Sequence, residues 1–92
     1  WPRLPSDAPC GLCYTSGTTG NPKGVMYEQG STVLHAMMSG SSQYLDFSER
    51  SVAMPVVPMY HVCAWGVPFS APLYGARLVL PGGNLVGESL QL

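Results

Sequence analysis

The sequence predicts an α/β fold in which short buried strands alternate with helical segments. Apolar runs of strand length recur along the 92 residues and are separated by Gly- and Pro-rich turns. An apolar stripe at helical spacing lies between two of these runs, and such alternation favours a sheet with parallel components. Charged residues make up 10% of the chain, against roughly 25% in ordinary globular domains, which is typical of protein interior.

The first predicted elements surround a loop. After a Pro-rich segment over residues 1–9, the apolar run Cys10–Thr15 predicts a buried strand. Ser16–Lys23 is rich in Gly, Ser and Thr and predicts a loop, and Gly24–Tyr27 predicts a second short strand.

A helix is predicted next, with Ser31 as its N-cap and the stretch Gly40–Ser42 as its end. Its apolar stripe consists of Val33, Leu34, Met37 and Met38. His35 lies on the same helix and is interpreted as structural.

The second half predicts two more strands with a partly helical segment between them. That segment contains two prolines, which restrict its helical part. The elements are a polar turn at Ser48–Arg50, a strand at Ser51–Val57, a loop at Pro58–His61, the partly helical Val62–Tyr74, a strand at Ala76–Leu80, a turn at Pro81–Asn84 and a helix start at Glu88–Leu92.

Composition excludes several classes of function. The net charge is −1 and no basic patch is present, so nucleic-acid binding has no electrostatic support. No apolar run reaches the roughly 18 residues of a membrane span. The chain begins with Trp1 and ends in an apolar pattern, and we expect it to be an internal fragment that folds poorly alone.

Three cysteines are present, and two have the spacing Cys10-Gly11-Leu12-Cys13. A single pair of this kind is a weak signal for zinc or for redox activity. Because residues i and i+3 of a regular strand point to opposite faces, we expect these two cysteines to diverge and to serve mainly in packing.

The loop between the first two strands carries the strongest chemical signal. Its glycines allow close backbone approach and positive φ, so that several N–H groups can converge on an anion. Four hydroxyl groups and one ammonium group add donors, which together predict a polyphosphate-binding loop; the contributing side chains are Thr15, Ser16, Thr18, Thr19 and Lys23. The order differs from the Walker A motif, since Pro22 precedes the lysine and Gly24 follows it. The alternative is a flexible Gly/Ser/Thr turn.

The string Tyr14–Val25 resembles the phosphate-binding signature of the adenylate-forming superfamily, which includes acyl-CoA synthetases, peptide synthetase adenylation domains and firefly luciferase. Downstream, Met54–Gly66 resembles the acyl-pocket segment of medium- and long-chain fatty-acyl-CoA ligases, a branch that includes ligases for methylmercaptopropionate. The resemblance implies that residues 1–92 are an internal fragment of the large N-terminal AMP-binding domain, with a mixed sheet and flanking helices.

The resemblance also implies a reaction and a set of site residues. By this resemblance a carboxylic acid, expected from the branch to be a fatty acid, reacts with ATP to give acyl-AMP, and the CoA thiol then displaces AMP. The phosphates are lined by Thr15, Ser16, Gly17, Thr18, Thr19, Gly20 and Lys23; Thr15 helps to hold Mg²⁺, and Lys23 is the catalytic cation.

Three further residues match acyl-site positions by resemblance. His61 borders the acyl and adenylate sites, Val62 lines the acyl pocket, and Trp65 gates it; the alternatives are a helix-capping role for the histidine and core packing for the tryptophan. Two departures stand out: Cys63, where the branch often carries Asn, and Glu28-Gln29-Gly30, where a Ser/Thr-His-Arg type of sequence is usual.

Two other functions stay open at this stage. One is an acyl-AMP ligase or adenylation domain that loads a carrier protein, and the other is a phosphate-binding module without catalysis. The expected ligands are ATP, Mg²⁺, CoA and a small carboxylic acid, with no nucleic acid and no transmembrane segment. We also expect a cytoplasmic parent enzyme that forms a homodimer, and no activity from these 92 residues alone.

Overall fold

The computed structural model describes residues 2–82, which begin with an antiparallel β-hairpin. Strand β1 (Pro9–Thr15) pairs with β2 (Lys23–Glu28). In this register Cys13 lies opposite Val25, and Thr15 lies opposite Lys23. Both predicted strands and the loop between them are therefore present, with β2 starting at the lysine. The prediction that the first strand is buried was wrong for the described residues, since only Cys13 of β1 is buried.

Helix α1 (Gln29–Ser39) follows β2 without a loop. Its N-cap is Glu28, so the prediction of Ser31 as N-cap was wrong by three residues. The reason is local: the Ser31 hydroxyl, in the third helical position, accepts the Glu28 backbone N–H at 3.3 Å and forms one half of a capping box. The helix ends at Gly40, as predicted.

The unusual sequence at the start of α1 ties the helix to the N-terminal segment. The Gly30 N–H donates to the Ser6 carbonyl at 2.7 Å, and the Gln29 N–H donates to the Ala8 carbonyl at 2.9 Å. A Cβ at position 30 would lie 3.1 Å from the Ser6 carbonyl oxygen, so glycine permits this approach. The departure at Glu28-Gln29-Gly30 thus has a structural account.

A second, parallel pair is formed by β3 (Val52–Ala53) and β4 (Arg77–Leu78). The predicted parallel component is confirmed, but both strands are shorter than the predicted Ser51–Val57 and Ala76–Leu80. Pro55 explains the early end of β3, because it has no N–H to donate and disfavours continuation of a ladder.

Two short helices connect this pair. These are α2 (Val62–Trp65) and α3 (Val67–Leu73), so the segment is helical in part, as predicted. Pro68 lies in the first turn of α3, where its missing N–H has no intrahelical acceptor in any case. Pro72 lies near the end, and the helix stops one residue later.

The buried core within residues 2–82 is small. Ala53, Ala71 and Ala76 form its centre, with Phe47 packed against it. The stripe on α1 has the predicted helical spacing but faces away from this core: Leu34 and Met38 are 63% and 61% exposed, and only Ala36 of this helix is buried.

None of the helices in residues 2–82 has the length and apolar content of a membrane span. The predicted helix start at Glu88–Leu92 and the end of the predicted turn Pro81–Asn84 lie outside the described residues.

Candidate functional site

The Gly-rich loop, Ser16–Pro22, joins the two strands of the hairpin. Thr15 and Lys23 are cross-strand partners at its base, so the hydroxyl-bearing and ammonium-bearing residues meet at the same end of the hairpin. Gly17 and Gly20 have φ of 60° and 99°, which side chains with a Cβ rarely adopt. The two glycines therefore set the path of the loop.

The donors of this loop are exposed. Thr15, Ser16, Thr18, Thr19 and Lys23 are all in the exposed class. Among the hydrogen bonds of residues 2–82, none involves the side chain of any of these five residues. A loop whose glycines fix its backbone while its donors point to solvent can receive an anionic ligand.

The second feature is a left-handed turn in α2. The four residues Val62, Cys63, Ala64 and Trp65 have φ of 49°, 50°, 51° and 56°, and Gly66 continues the conformation with φ of 73°. Left-handed helical geometry costs about 1–2 kcal/mol for each residue other than glycine. The segment was predicted to be helical, and its handedness is a finding. Backbone strain of this kind concentrates at functional sites.

Several contacts hold this turn. The Ala64 N–H donates to the His61 carbonyl at 3.0 Å, and the Gly66 N–H donates to the Cys63 carbonyl at 3.1 Å. Ala64 is 1% exposed. The fully buried Ser70 hydroxyl donates to the Gly66 carbonyl at 3.2 Å, which joins the turn to α3.

Gly66 also contacts helix α1. A Cβ on Gly66 would lie 2.7 Å from both Cε1 and Nδ1 of His35, well inside van der Waals contact. His35 is therefore a packing neighbour of the turn, in agreement with its interpretation as structural.

A cavity of about 280 Å³ lies between the hairpin, α1 and the left-handed turn. Val62 lines it, whereas His61 and Trp65 do not. Both of these side chains are exposed, Trp65 by 60%, so the tryptophan is not a core residue of the described part. The sequence did not predict that the cavity would also be lined by Cys10, Tyr27, Ser31, Thr32, His35 and Phe69.

Two cysteines that are 50 residues apart meet beside this cavity. The Cys13 and Cys63 sulfurs are 3.1 Å apart, with one thiol donating to the other. This hydrogen bond and burial raise the pKa of the Cys63 thiol above its ordinary value, with smaller contributions from the charges of Cys13 and Cys10. Within residues 2–82 no cluster of three or more Cys, His, Asp or Glu side chains has metal-binding geometry.

Strand β1 is irregular at Cys10, in the stretch where Cys10 and Cys13 were expected to diverge. The register shifts between Pro9 and Gly11, so Cys10 is an extra residue in β1. This irregularity interrupts the alternation on which the expectation rested. Cys10 lines the cavity together with Cys63, and Cys13 contacts the same Cys63.

The predicted site residues thus form two groups. The phosphate-loop residues occupy the end of one hairpin. Of the predicted acyl-site residues, Val62 and Trp65 lie in the strained turn and His61 immediately precedes it. The Cys13–Cys63 contact joins the two groups. Sequence patterns could not reveal this contact, because nothing local relates residues 50 positions apart.

Comparisons with known proteins identify a family and several similar proteins. The profile of a family described as AMP-binding enzyme matches residues 2–89. A medium-chain-fatty-acid–CoA ligase of Ectopseudomonas oleovorans is 56% identical over 90 residues, which are 98% of this chain and 16% of that protein. A 3-methylmercaptopropionyl-CoA ligase of Ruegeria pomeroyi is 54% identical, over 98% of this chain and 17% of that protein.

A solved structure is similar as well. The O-succinylbenzoate coenzyme A synthetase of Bacillus subtilis, in complex with AMP, matches with a TM-score of 0.70 and 34% identity. The match covers 84% of this chain and 20% of that protein. The chain therefore spans only about a sixth to a fifth of the length of these relatives.

Proposed function

The chain belongs to the AMP-binding enzyme family, and from this membership we propose that it is the phosphate-binding and acyl-binding segment of an acid–thiol ligase. The enzyme activates a carboxylic acid with ATP, releases pyrophosphate, and transfers the acyl group from AMP to CoA. The observation that carries the proposal is the hairpin loop. Its exposed side-chain donors have no protein partner within the described residues, and Thr15 and Lys23 are cross-strand partners at the base of the loop.

In this proposal the loop binds the β- and γ-phosphates of ATP. The backbone at Gly17 and Gly20 directs N–H groups toward the anion, and the hydroxyls of Ser16, Thr18 and Thr19 add hydrogen bonds. Lys23 balances the negative charge that grows on pyrophosphate as the α-phosphate is attacked. Its position on β2 fixes its stem while the ammonium group stays free to follow the leaving group.

Mg²⁺ is expected beside the same phosphates. Mg²⁺ prefers oxygen ligands and keeps several waters, with one or two protein oxygens and the substrate phosphates completing its shell. The exposed Thr15 hydroxyl at the base of the loop fits such a role. When bound, the ion would neutralise phosphate charge.

The acyl group is proposed to enter the 280 Å³ cavity. Val62 contributes an apolar wall, and Cys63 and Phe69 extend it, which suits an aliphatic chain better than a polar acid. His61 precedes the turn and Trp65 ends it, and in this proposal the two side chains contact the carboxylate and the chain as the acid enters the cavity. The names of the two similar ligases, for a medium-chain fatty acid and for 3-methylmercaptopropionate, support an aliphatic substrate.

Other parts of the proposal come from the family rather than from these residues. They include CoA as acceptor, a cytoplasmic location and a homodimeric parent. Transfer to a carrier protein and a non-catalytic phosphate-binding role are less favoured, since the similar proteins named above are CoA ligases or synthetases.

The test is carboxylate-dependent ATP–pyrophosphate exchange by the full-length protein, across acids of increasing chain length. Exchange that peaks at one chain-length class supports the proposal. Tight ATP binding with no exchange for any acid favours the non-catalytic alternative.

Lys23→Ala then tests the role of the loop. We expect exchange to fall by roughly 10²-fold or more, in the range found when one transition-state donor is removed. Transfer of the acyl group from preformed acyl-AMP to CoA should fall much less, because pyrophosphate has already left. Arg50→Ala is the matched control, since it removes an exposed cation outside the loop. Equal losses in the two half-reactions of Lys23→Ala would contradict the assignment.

A further inference from the structure

The Cys13–Cys63 contact has no part in the proposed reaction, yet it joins the two halves of the site. Cys13 lies on β1, is 8% exposed, and precedes Thr15 by two residues, or about 7 Å of strand. Cys63 lies in the left-handed turn, is half-buried, and lines the cavity. Their sulfurs are 3.1 Å apart, and both thiols are free.

This geometry is close to that of a covalent bridge. A disulfide has a sulfur–sulfur distance of about 2.05 Å, so the two sulfurs need to approach by about 1 Å. Within the described residues, neither sulfur belongs to a group of side chains that could bind a metal ion. Cys63 lines the cavity, which gives a small reagent access to its thiol, whereas Cys13 is buried.

We propose that Cys13 and Cys63 are a thiol-oxidation site, at which a small-molecule disulfide such as oxidised glutathione converts the two thiols into an intramolecular disulfide. Cys63 reacts as its thiolate, whose fraction at neutral pH is lowered by the raised pKa of this thiol, so the first step is faster at mildly alkaline pH. The thiolate attacks one glutathione sulfur, and the glutathione disulfide bond breaks to release one glutathione thiolate. The Cys13 thiolate then attacks the Cys63 sulfur and displaces the second glutathione. The protein loses two electrons and two protons, and one glutathione disulfide becomes two glutathione thiols.

The bridge has a consequence for the active site, and this part rests on the proposed function. It would fix the strand that leads into the phosphate loop to the turn that carries Val62 and Trp65. It would also draw Cys63 about 1 Å toward β1 and so reshape the wall of the acyl cavity. Displacements of this size in a catalytic constellation reduce rates by as much as roughly 100-fold. We expect acid activation to fall at least tenfold.

The decisive measurement does not depend on activity. The full-length protein is incubated with oxidised glutathione, and its peptides are mapped by mass spectrometry without reduction. We expect a peptide pair joined through Cys13 and Cys63, two hydrogen masses lighter than the reduced pair. Cys13→Ala and Cys63→Ala should each abolish that pair, and Cys10→Ala, the matched control in the same cavity, should retain it. A Cys10–Cys63 bridge, a lasting glutathione adduct on Cys63, or no oxidation would overturn the site.

Activity is measured in parallel, as pyrophosphate exchange before and after oxidation and again after dithiothreitol. Each variant is compared with its own reduced form. A tenfold loss that dithiothreitol reverses, and that Cys13→Ala does not show, supports the effect on the active site. A mapped bridge with unchanged exchange overturns that effect and leaves the oxidation site standing. Reduced protein that shows no exchange with any acid overturns the proposed function, whatever the mapping shows.

Discussion

Gly66 provides a quantitative test of how the strained turn is held. Gly66→Ala changes two things in the structure. The residue has φ of 73°, where alanine costs about 1–2 kcal/mol more than glycine. The new Cβ would also lie 2.7 Å from two ring atoms of His35. Overpacking of this kind typically costs about 1–3 kcal/mol, and the lower half of that range applies because His35 is exposed and its ring can rotate.

The expected loss for Gly66→Ala is therefore about 2–4 kcal/mol in the free energy of unfolding. The measurement is urea unfolding of the full-length protein, with the midpoint and slope compared between variants. Gly75→Ala is the matched control. Its φ is 72°, but the new Cβ would lie 3.2 Å from the side-chain Cγ of Glu49, an exposed and flexible residue. Gly75→Ala should therefore lower the free energy of unfolding only by the cost of the left-handed backbone angle, about 1–2 kcal/mol.

A double-mutant cycle separates the two effects. In a His35→Ala background the ring is absent, so Gly66→Ala should cost no more than Gly75→Ala does. The coupling between positions 35 and 66 should then be about 1–2 kcal/mol. If Gly66→Ala and Gly75→Ala cost the same in the original background, His35 does not pack on the turn and the reasoning fails.

Two further predictions follow from exposure and from the thiol pair. The isolated 92-residue chain should give the far-UV circular dichroism of a largely unfolded protein and should show no ATP turnover. The reason is that large apolar side chains have no cover in the described part: Leu34, Met38 and Trp65 are each at least 60% exposed. A cooperative thermal transition would contradict this prediction. Because the pKa of Cys63 is raised in the folded protein, its contribution to stability is complete below the ordinary thiol pKa of about 8.5 and is lost as pH rises further. Urea unfolding measured at a series of pH values from about 8 upward should show this loss in the original protein and less of it in Cys63→Ala, whereas equal slopes would refute it.

The sequence predicted the elements whose signals are local. The two strands of the hairpin follow from two apolar runs around a Gly-rich loop, although their antiparallel pairing was not predicted, and the end of α1 follows from Gly40. The N-cap was misplaced because two residues compete there: Ser31 has the stronger capping propensity, but Glu28 occupies the cap while the Ser31 hydroxyl completes it from within the helix.

The candidate site was predictable in composition and not in geometry. The loop residues share one motif, and the structure places them together at one end of the hairpin. The left-handed turn gives no local warning, since only Gly66, at its end, is a residue that favours positive φ. The extra residue at Cys10 and the Cys13–Cys63 contact depend on pairing between distant segments, which periodicity does not encode.

The left-handed backbone conformation at position 63 bears on the presence of Cys63 there instead of Asn. Related ligases often carry Asn at this position by the resemblance described above, and Asn tolerates left-handed φ better than other residues with a Cβ. Cys63 has φ of 50° and gains a thiol contact instead.

We therefore predict that the Cys63→Asn variant is more stable than the Cys63→Ala variant by about 0.5–1 kcal/mol in urea unfolding. Both variants lose the thiol contact, and they differ in how well the new residue tolerates left-handed backbone angles. The same pair of substitutions at Ala36, a buried position in the right-handed α1, should give the opposite order, since alanine is the better helix former and asparagine would bury an amide. Equal stability of the two variants at position 63 would mean that the folded enzyme does not hold this residue in the left-handed region.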